Sequence, residues 1–165
     1  MCEHYKEKEN YTHILGYVSQ ANEKDILSNK ILKDKFVQGL KVGKIGLEKS
    51  FENSLIGDNS IERYEVNAYG RRISQLAFKD GNKGETIKLT IDTEVQKYTN
   101  QLLKDKAGSI CVMDIFTGQI IAMHSSPSFD PNHFVFGISQ DEWQLIRNNP
   151  MKPLVNKTLS GNYSP

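Results

Sequence analysis

The sequence predicts an α+β fold that is incomplete as it stands, on three observations. Residues 107–126, AGSICVMDIFTGQIIAMHSS, hold two apolar runs, Ser109–Met113 and Gln119–Met123, around a short link ending in Gly118. Such a glycine supplies the positive φ of a bulged hairpin loop, so the segment reads as an antiparallel hairpin. Thr93–Leu103, directly before it, has helical spacing of apolar residues. An earlier helix and hairpin, Leu47–Ile56 and 61–78, are set apart from these by the polar stretch Asp80-Gly81-Asn82-Lys83-Gly84.

Taken in order, His13-Ile14-Leu15-Gly16-Tyr17-Val18 is a short apolar run, expected as a strand end. Gln20–Lys35 is rich in Lys, Asp and Asn and has room for a short helix around Ile26–Leu32. Gly39, Gly43 and Gly46 punctuate an expected flexible connector. Leu47, Phe51 and Leu55 fall at i, i+4 and i+8, predicting one amphipathic helix that buries them, with Gly57 at its C′ position. Ile61–Ala68 and Arg71–Phe78 around Tyr69-Gly70 predict a second, more exposed hairpin.

Beyond the 80–84 break, which divides the chain into 1–84 and 85–165, Glu85–Thr90 is expected as a short strand. Asp92 is the N-cap expected for the Thr93–Leu103 helix, with Val95, Tyr98, Leu102 and Leu103 inward. The organising hairpin follows. Its runs Ile110–Met113 and Ile120–Met123 are continuously apolar, which implies burial on both sides. The rest of the chain offers only the Thr93–Leu103 helix for one face and a short helix after Ser139 for part of the other. Ser139-Gln140-Asp141-Glu142 is a capping box for that second helix, with Trp143 and Ile146 inward. The last fifteen residues read as loop.

The bulk properties exclude several classes. The chain has 165 residues, is 38% hydrophobic and 25% charged, and carries a formal net charge of +1. That charge gives no electrostatic case for nucleic acid. No apolar run reaches the roughly 20 residues of a membrane helix, and no secretory leader is visible. Cys2 and Cys111 read as a terminal thiol and a small core residue, and no zinc-type spacing occurs.

Candidate chemistry is thin. Ser128, Asp130 and His133 could be assembled on paper into a nucleophile, acid and base, but they lack a strand–turn–helix setting, and loop hydrogen bonding is the plainer reading. His124 and His133 lack a third metal ligand at useful spacing, and His4 and His13 stand apart. The glycines at 39, 43 and 46 match neither a P-loop nor a dinucleotide fingerprint. Glu48 and Glu52, one helical turn apart, imitate paired carboxylates, yet with Lys44 and Lys49 beside them they read as exposed helix-face charges. No catalytic, substrate-binding, cofactor-binding or metal-binding residue is assigned, and no cofactor is expected.

Five segments together carry a resemblance. VGKIGLEKSFENSLIG resembles the GK-x-GLE…L-G segment of class B penicillin-binding proteins, and YEVNAYGR their VNA-x-GR. LTIDTEVQ resembles their LTID-x-x-Q, and MDIFTGQIIAMHSSPSFDPNHFVFGIS their D-x-x-TG…PSFDPN-x-F-x-x-GIS. PLVNKTLSGNYSP resembles the PL-x-NRA-x-x-G-x-YPPG that leads to the catalytic S-x-x-K, with Lys157 and Thr158 where the family favours Arg and Ala. The match runs from about His13 onward in the family's own order. The GYV, VNA-x-GR and F-x-x-GIS versions point to the elongation type rather than the septal type.

The resemblance implies the later part of a pedestal, or dimerisation, domain (1–84), followed by the first helix and β-hairpin of a transpeptidase domain (85–165). In the intact parent it implies a serine that attacks the D-Ala-D-Ala end of a peptidoglycan stem peptide and is acylated by penicillins. It also implies an inner-membrane anchor with periplasmic domains, and as partners a SEDS-type glycosyltransferase and rod-shape scaffold proteins. Ser164 aligns with the first proline of YPPG and no lysine follows it. The expectation is a truncated chain, not catalytic by itself and cytoplasmic if expressed as given. The alternative is a stand-alone module that docks on elongation partners without catalysis.

Overall fold

The structure, a computed structural model, describes Tyr5 and residues 8–161. Cys2, His4 and Ser164 lie outside the described residues. After a 3₁₀ turn at Lys8–Asn10 come α1 (Thr12–Leu15), β1 (Val18–Gln20), α2 (Glu23–Ser28), α3 (Lys30–Asp34) and β2 (Lys41–Gly43). Then follow α4 (Gly46–Ser50), α5 (Glu52–Leu55) and the hairpin β3 (Ile61–Val66) and β4 (Arg72–Lys79). The remainder is α6 (Thr93–Leu102), the hairpin β5 (Gly108–Met113) and β6 (Ile120–Ser126), α7 (Asn132–Phe136), α8 (Gln140–Asn148) and α9 (Lys157–Ser160). The strands pair as three two-stranded antiparallel sheets, β1–β2, β3–β4 and β5–β6. The fold is α+β, as the sequence predicts.

The first part of the chain closes through short elements and close glycine contacts. The expected strand end at His13–Val18 is instead α1, stopped by Gly16 at φ +80°, with β1 beginning at Val18. A Cβ on Gly16 would lie 1.9 Å from the Ile45 carbonyl oxygen, and one on Gly46 would lie 2.6 Å from Gly16 N. The two backbones touch, which only glycine permits. The expected flexible connector around Gly39, Gly43 and Gly46 is therefore a structured one, because β2 pairs with β1 in the register Ser19↔Val42. The Gln20–Lys35 stretch holds two helices rather than one. Asn22 and Asp25 form a capping box that starts α2, and Asn29 ends α2 while its side chain accepts from Ile31 N–H to start α3.

The Leu47–Ile56 helix is also broken in two. Phe51 leaves helical geometry between α4 and α5, and it is 43% exposed. Within α4 and α5 themselves the buried side chains are Glu48 and Glu52. This inverts the expected amphipathic face, because local spacing cannot register that Tyr5 and Gly43 wait on the other side with donors. The 80–85 stretch is pinned rather than loose. Asp58 N–H donates to the Asn82 carbonyl at 2.8 Å and Glu85 N–H to the Ser54 carbonyl at 2.8 Å. The expected strand at Glu85–Thr90 is absent, and residues 80–92 form no regular element.

Asp92 caps α6 as expected, accepting from Glu94 and Val95 N–H. The buried face of α6 differs from expectation. Gln96 and Thr99 are buried, whereas Tyr98 and Leu102 are exposed. The β5–β6 hairpin is covered more on one face than on the other. Ala122, His124 and Ser126 are buried, while Cys111 is exposed and Met113 is 54% exposed. The partial cover on its other face, at Ser125, comes from α9, in the tail expected to be loop. Asn156 caps α9 by accepting from Thr158 and Leu159 N–H. Helix α8 forms behind its capping box and turns Trp143 onto Phe134, ring centroids 6.1 Å apart.

Two small apolar clusters hold this together. Leu32, Val42 and Ile56 form one, with Ala21 and Leu40 against it. Tyr5, Val18 and Val135 form the other, with Leu15 against it. The second cluster joins the start of the chain to α7, so the first and last parts share a core.

Candidate functional site

Polar side chains gather at the seam where residues 5–16 meet α6, β6, the 126–132 loop and α9. Gln96, 0% exposed, is its hub. Its Nε2 donates to the Asn10 carbonyl at 2.7 Å and to the Met123 carbonyl at 2.9 Å, while its Oε1 accepts from Met123 N–H at 2.9 Å. The amide thus acts as one residue of a further strand. It reaches β6 because Asp92, bonded through its own N–H to the Ile121 carbonyl at 2.8 Å, starts α6 one turn earlier. Asn100 Nδ2 donates to Asn10 Oδ1 beside it.

The other stitches follow the same pattern of side chain to main chain. Thr12 Oγ1 donates to the Phe129 carbonyl at 2.8 Å. Asn132 accepts from Tyr5 N–H at 2.8 Å and donates to the Tyr5 carbonyl at 3.1 Å. Asn156 Nδ2 donates to the His13 carbonyl at 3.1 Å. Ser125 Oγ accepts from Lys157 N–H at 3.0 Å, and Ser126 Oγ donates to the Leu103 carbonyl at 3.0 Å. Buried main-chain groups with no helix or sheet partner are costly, and these side chains supply the partners.

Three basic groups sit within this seam. His13 packs edge-on against Phe129, centroids 5.7 Å apart. Burial holds its pKa down to about 4, with the Lys157 ammonium and His124 adding in the same direction. Burial also lowers His124 and Lys157. Lys157 Nζ donates to the Lys152 carbonyl at 3.1 Å, and Lys152 itself adopts φ +48°.

The paired carboxylates are placed differently from expectation. Glu48 accepts from Tyr5 Oη at 3.2 Å, and Glu52 accepts from Gly43 N–H. Burial raises both pKa values, and in Glu52 the neighbouring Glu48 and Asp25 charges add to it. Asp25 forms an ion pair with Lys44 next to them. Asp25 and Glu52 line a cavity of ≈ 380 Å³ with Asn29, Lys49 and Asn53. Each glutamate is tied to a structural donor, so the pair braces β2 and the N-terminal segment against α4 and α5.

The serine, aspartate and histidine of the 128–133 loop stand in different surroundings. Asp130 Oδ1 accepts from Asn132 N–H at 2.9 Å, which is turn chemistry, and His133 Nδ1 lies 3.9 Å from Glu142 Oε1. Ser128 Oγ is buried without a hydrogen-bond partner. Among the described residues no group of three or more His, Cys, Asp or Glu side chains is arranged to hold a metal ion. Sequence reasoning quoted Gln96, Asn132 and Asn156 inside motifs and assigned them no role. Their signal was a polar residue where an apolar stripe or plain loop was expected.

Two family models match this chain. The family model of the penicillin-binding protein dimerisation domain matches residues 4–89, and that of the penicillin binding protein transpeptidase domain matches residues 108–165. The peptidoglycan D,D-transpeptidase MrdA of Escherichia coli K12 is 39% identical over 156 residues, covering 93% of this chain and 25% of that protein. A structure of PBP2 in complex with MreC from Helicobacter pylori superposes with a TM-score of 0.77 at 31% identity, covering 93% of this chain and 28% of that one. The Pseudomonas aeruginosa PBP2 structure in complex with WCK 5153 matches with a TM-score of 0.77 at 30% identity, covering 96% of this chain and 31% of that one. The chain spans about a quarter of the length of the curated relatives it matches.

Proposed function

We propose that this chain, which belongs to the penicillin-binding proteins, serves as the joint of an elongation-type peptidoglycan D,D-transpeptidase. On this reading 1–84 is the later pedestal and 85–165 the opening helix and hairpin of the transpeptidase domain. The observation that carries it is the seam. Residues matched by the dimerisation model, Tyr5 to Leu15, are stitched by side-chain-to-main-chain hydrogen bonds into the 126–132 loop and the Asn156 cap of α9, which the transpeptidase model matches. A pedestal held this way sets the orientation of the strands on which a transpeptidase domain is built.

The parent's chemistry is serine acylation by the D-Ala-D-Ala terminus of a stem peptide, then transfer to an amine of a neighbouring strand. Penicillins acylate the same serine. Its partners are a rod-shape scaffold protein of the MreC kind and a SEDS-type glycosyltransferase, and it is anchored in the inner membrane with these domains in the periplasm. No helix among the described residues is long and apolar enough to cross a membrane. The net charge of +1 gives no reason to invoke nucleic acid.

A chimaera tests this, with the chain replacing the matching quarter of E. coli MrdA. It is expected to take fluorescent penicillin and to restore rod shape in cells depleted of their own enzyme. A chimaera expressed at normal level and never labelled would overturn the reading. The chain alone, incubated with excess β-lactam, is expected to keep its intact mass, because no activated nucleophile is found among its described residues. A stoichiometric acyl adduct would sink that part of it.

A second reading is a docking module without catalysis. It is favoured by the β3–β4 ribbon, which presents Ile61, Ile73, Leu76 and Phe78 to solvent. Penicillin labelling of the chimaera separates the two, since a pure docking role needs no acylation.

A further inference from the structure

Asn156 holds both parts of the chain with one amide. Its Oδ1 accepts from Thr158 N–H at 3.1 Å and from Leu159 N–H at 3.3 Å, which starts α9. Its Nδ2 donates to the His13 carbonyl at 3.1 Å. The amide cannot be turned over, since two N–H groups require its oxygen and a carbonyl requires its nitrogen. That carbonyl belongs to α1, which Gly16 ends after one turn, so the helix itself offers it no donor. One planar group therefore fixes how α9 stands against α1.

The two ends of this bridge are anchored separately. On the α9 side, Ser125 Oγ accepts from Lys157 N–H at 3.0 Å and donates to the Val155 carbonyl at 3.2 Å. Thr158 Oγ1 donates to the His124 carbonyl at 3.4 Å. These bonds dock α9 on β6 without help from the Asn156 donor. On the α1 side, a Cβ on Gly46 would lie 2.6 Å from Gly16 N and 2.8 Å from the Ile14 carbonyl oxygen, so a shift of α4 is a shift of α1. Neither docking needs the bridge. What the bridge sets is the relation between them.

We propose that Asn156 is a positioning residue for the acylation step, tying the register of α9, and of the segment that resembles the lead-in to S-x-x-K, to the place of the pedestal. This rests on the function proposed above and adds to it a side chain through which a pedestal shift reaches the reacting end. Asn156 acts through α9 and not on the substrate.

The E. coli MrdA chimaera tests it, read as the second-order rate of labelling by fluorescent penicillin. Asn156→Asp and Asn156→Ser both keep an oxygen that caps α9. Asp has no donor for the His13 carbonyl, and Ser is too short to reach it. Both variants are expected to label about fivefold more slowly than the unsubstituted chimaera, to the same final stoichiometry. Hydrogen exchange on the chain with either substitution is expected to leave the Lys157 and Thr158 amides as protected as before, which separates positioning from loss of α9. Gly46→Ala, which pushes on α1 from the pedestal side, is expected to slow labelling when Asn156 is present and to add nothing to Asn156→Asp. If Gly46→Ala does not fold, the Asp and Ser variants decide alone. Labelling by both variants at the unsubstituted rate, lost protection at Lys157 and Thr158, or additive effects with Gly46→Ala would each overturn this inference alone. An unsubstituted chimaera that never labels would overturn the function proposed above and this inference with it.

Discussion

Two hairpins of this chain share an architecture and differ in almost everything that follows from it. Both are antiparallel pairs closed by a turn with a glycine at positive φ, Gly70 at +75° and Gly118 at +72°. In β3–β4 every residue but Tyr64 is exposed. Its side-chain contacts are local to the ribbon. Arg72 lies 4.3 Å over the Tyr64 ring, Tyr64 Oη donates to Glu62, and Ser74 Oγ donates to Glu65. In β5–β6 one face is buried, and the side chains of Thr90, Gln96 and Thr158 bond its main chain. Apolar content does not separate them, since β3–β4 carries Ile61, Val66, Ile73, Leu76 and Phe78. The difference is whether other elements reach the strand with donors and acceptors. That distinction is long-range and is where stability concentrates.

The comparison breaks most sharply at Gln96. Gln96→Leu keeps the volume and removes three hydrogen bonds, stranding both main-chain groups of Met123. Each stranded group costs about 1–3 kcal/mol, so the total is expected at about 3–5 kcal/mol with partial relaxation. Hydrogen exchange is expected to lose protection across 108–126 while β3–β4 stays unchanged. Equal loss in both hairpins would mean that they unfold as one unit and that the contrast is false.

Acid sharpens the same contrast. His13 is held at about 4, mainly by burial, so the native seam stays neutral while the unfolded chain takes up a proton near the ordinary value of 6.5. Its contribution is therefore complete above pH 6.5 and falls as pH drops toward 4, by up to about 3 kcal/mol. His124, lowered by burial, acts in the same direction. Glu48 and Glu52 act oppositely. Their raised values mean the cost of ionising them is absent at low pH and grows as pH rises through the folded values. Denaturant titrations followed by exchange at pH 7 and pH 5 are expected to show the β6 seam weakening while the β2–α4 region holds. A His13→Phe variant is expected to flatten the seam's pH dependence. A seam that gains protection at pH 5 would refute this assignment.

What the sequence disclosed and what it hid divides along the same line. Asp92, Ser139 and the two turn glycines were legible because a cap or turn bonds its own neighbours. The α+β class and both hairpins followed from such local signals. The burial of Glu48 and Glu52 was hidden, because their partners Tyr5 and Gly43 lie 43 and 9 residues away. The apolar stripe Tyr98 and Leu102 was misjudged for the converse reason. Gln96 and Thr99 hold the inward side of α6 through bonds to β6 and the helix, and the stripe faces out. The 80–84 stretch looked like a linker by composition. A Cβ on Gly84 would meet the Leu55 carbonyl oxygen at 1.9 Å, so the glycine is there for close packing and not for freedom.

The smallest expected effect lies in the ribbon. Leu76 is 66% exposed and Ile73 is 62% exposed, so each has little buried area to lose. Ile73→Lys or Leu76→Ala is expected to change stability by no more than about 0.5 kcal/mol, the range for surface positions without special features. The same exposure makes the ribbon vulnerable in another way. Tyr69 at its tip is 89% exposed, and Arg71 and Arg72 follow it. Trypsin is therefore expected to cut at Arg71 or Arg72 before it cuts at Lys79 or Lys83, since the 80–85 stretch is bonded at both ends to α5 and the segment after it. First cleavage at Lys83 would show that the glycine contacts around Leu55 open more easily than a free ribbon. A loss of more than 1.4 kcal/mol on Leu76→Ala, a tenfold change in the folding equilibrium, would show that the ribbon packs on something, and the two hairpins would then differ only in what covers them.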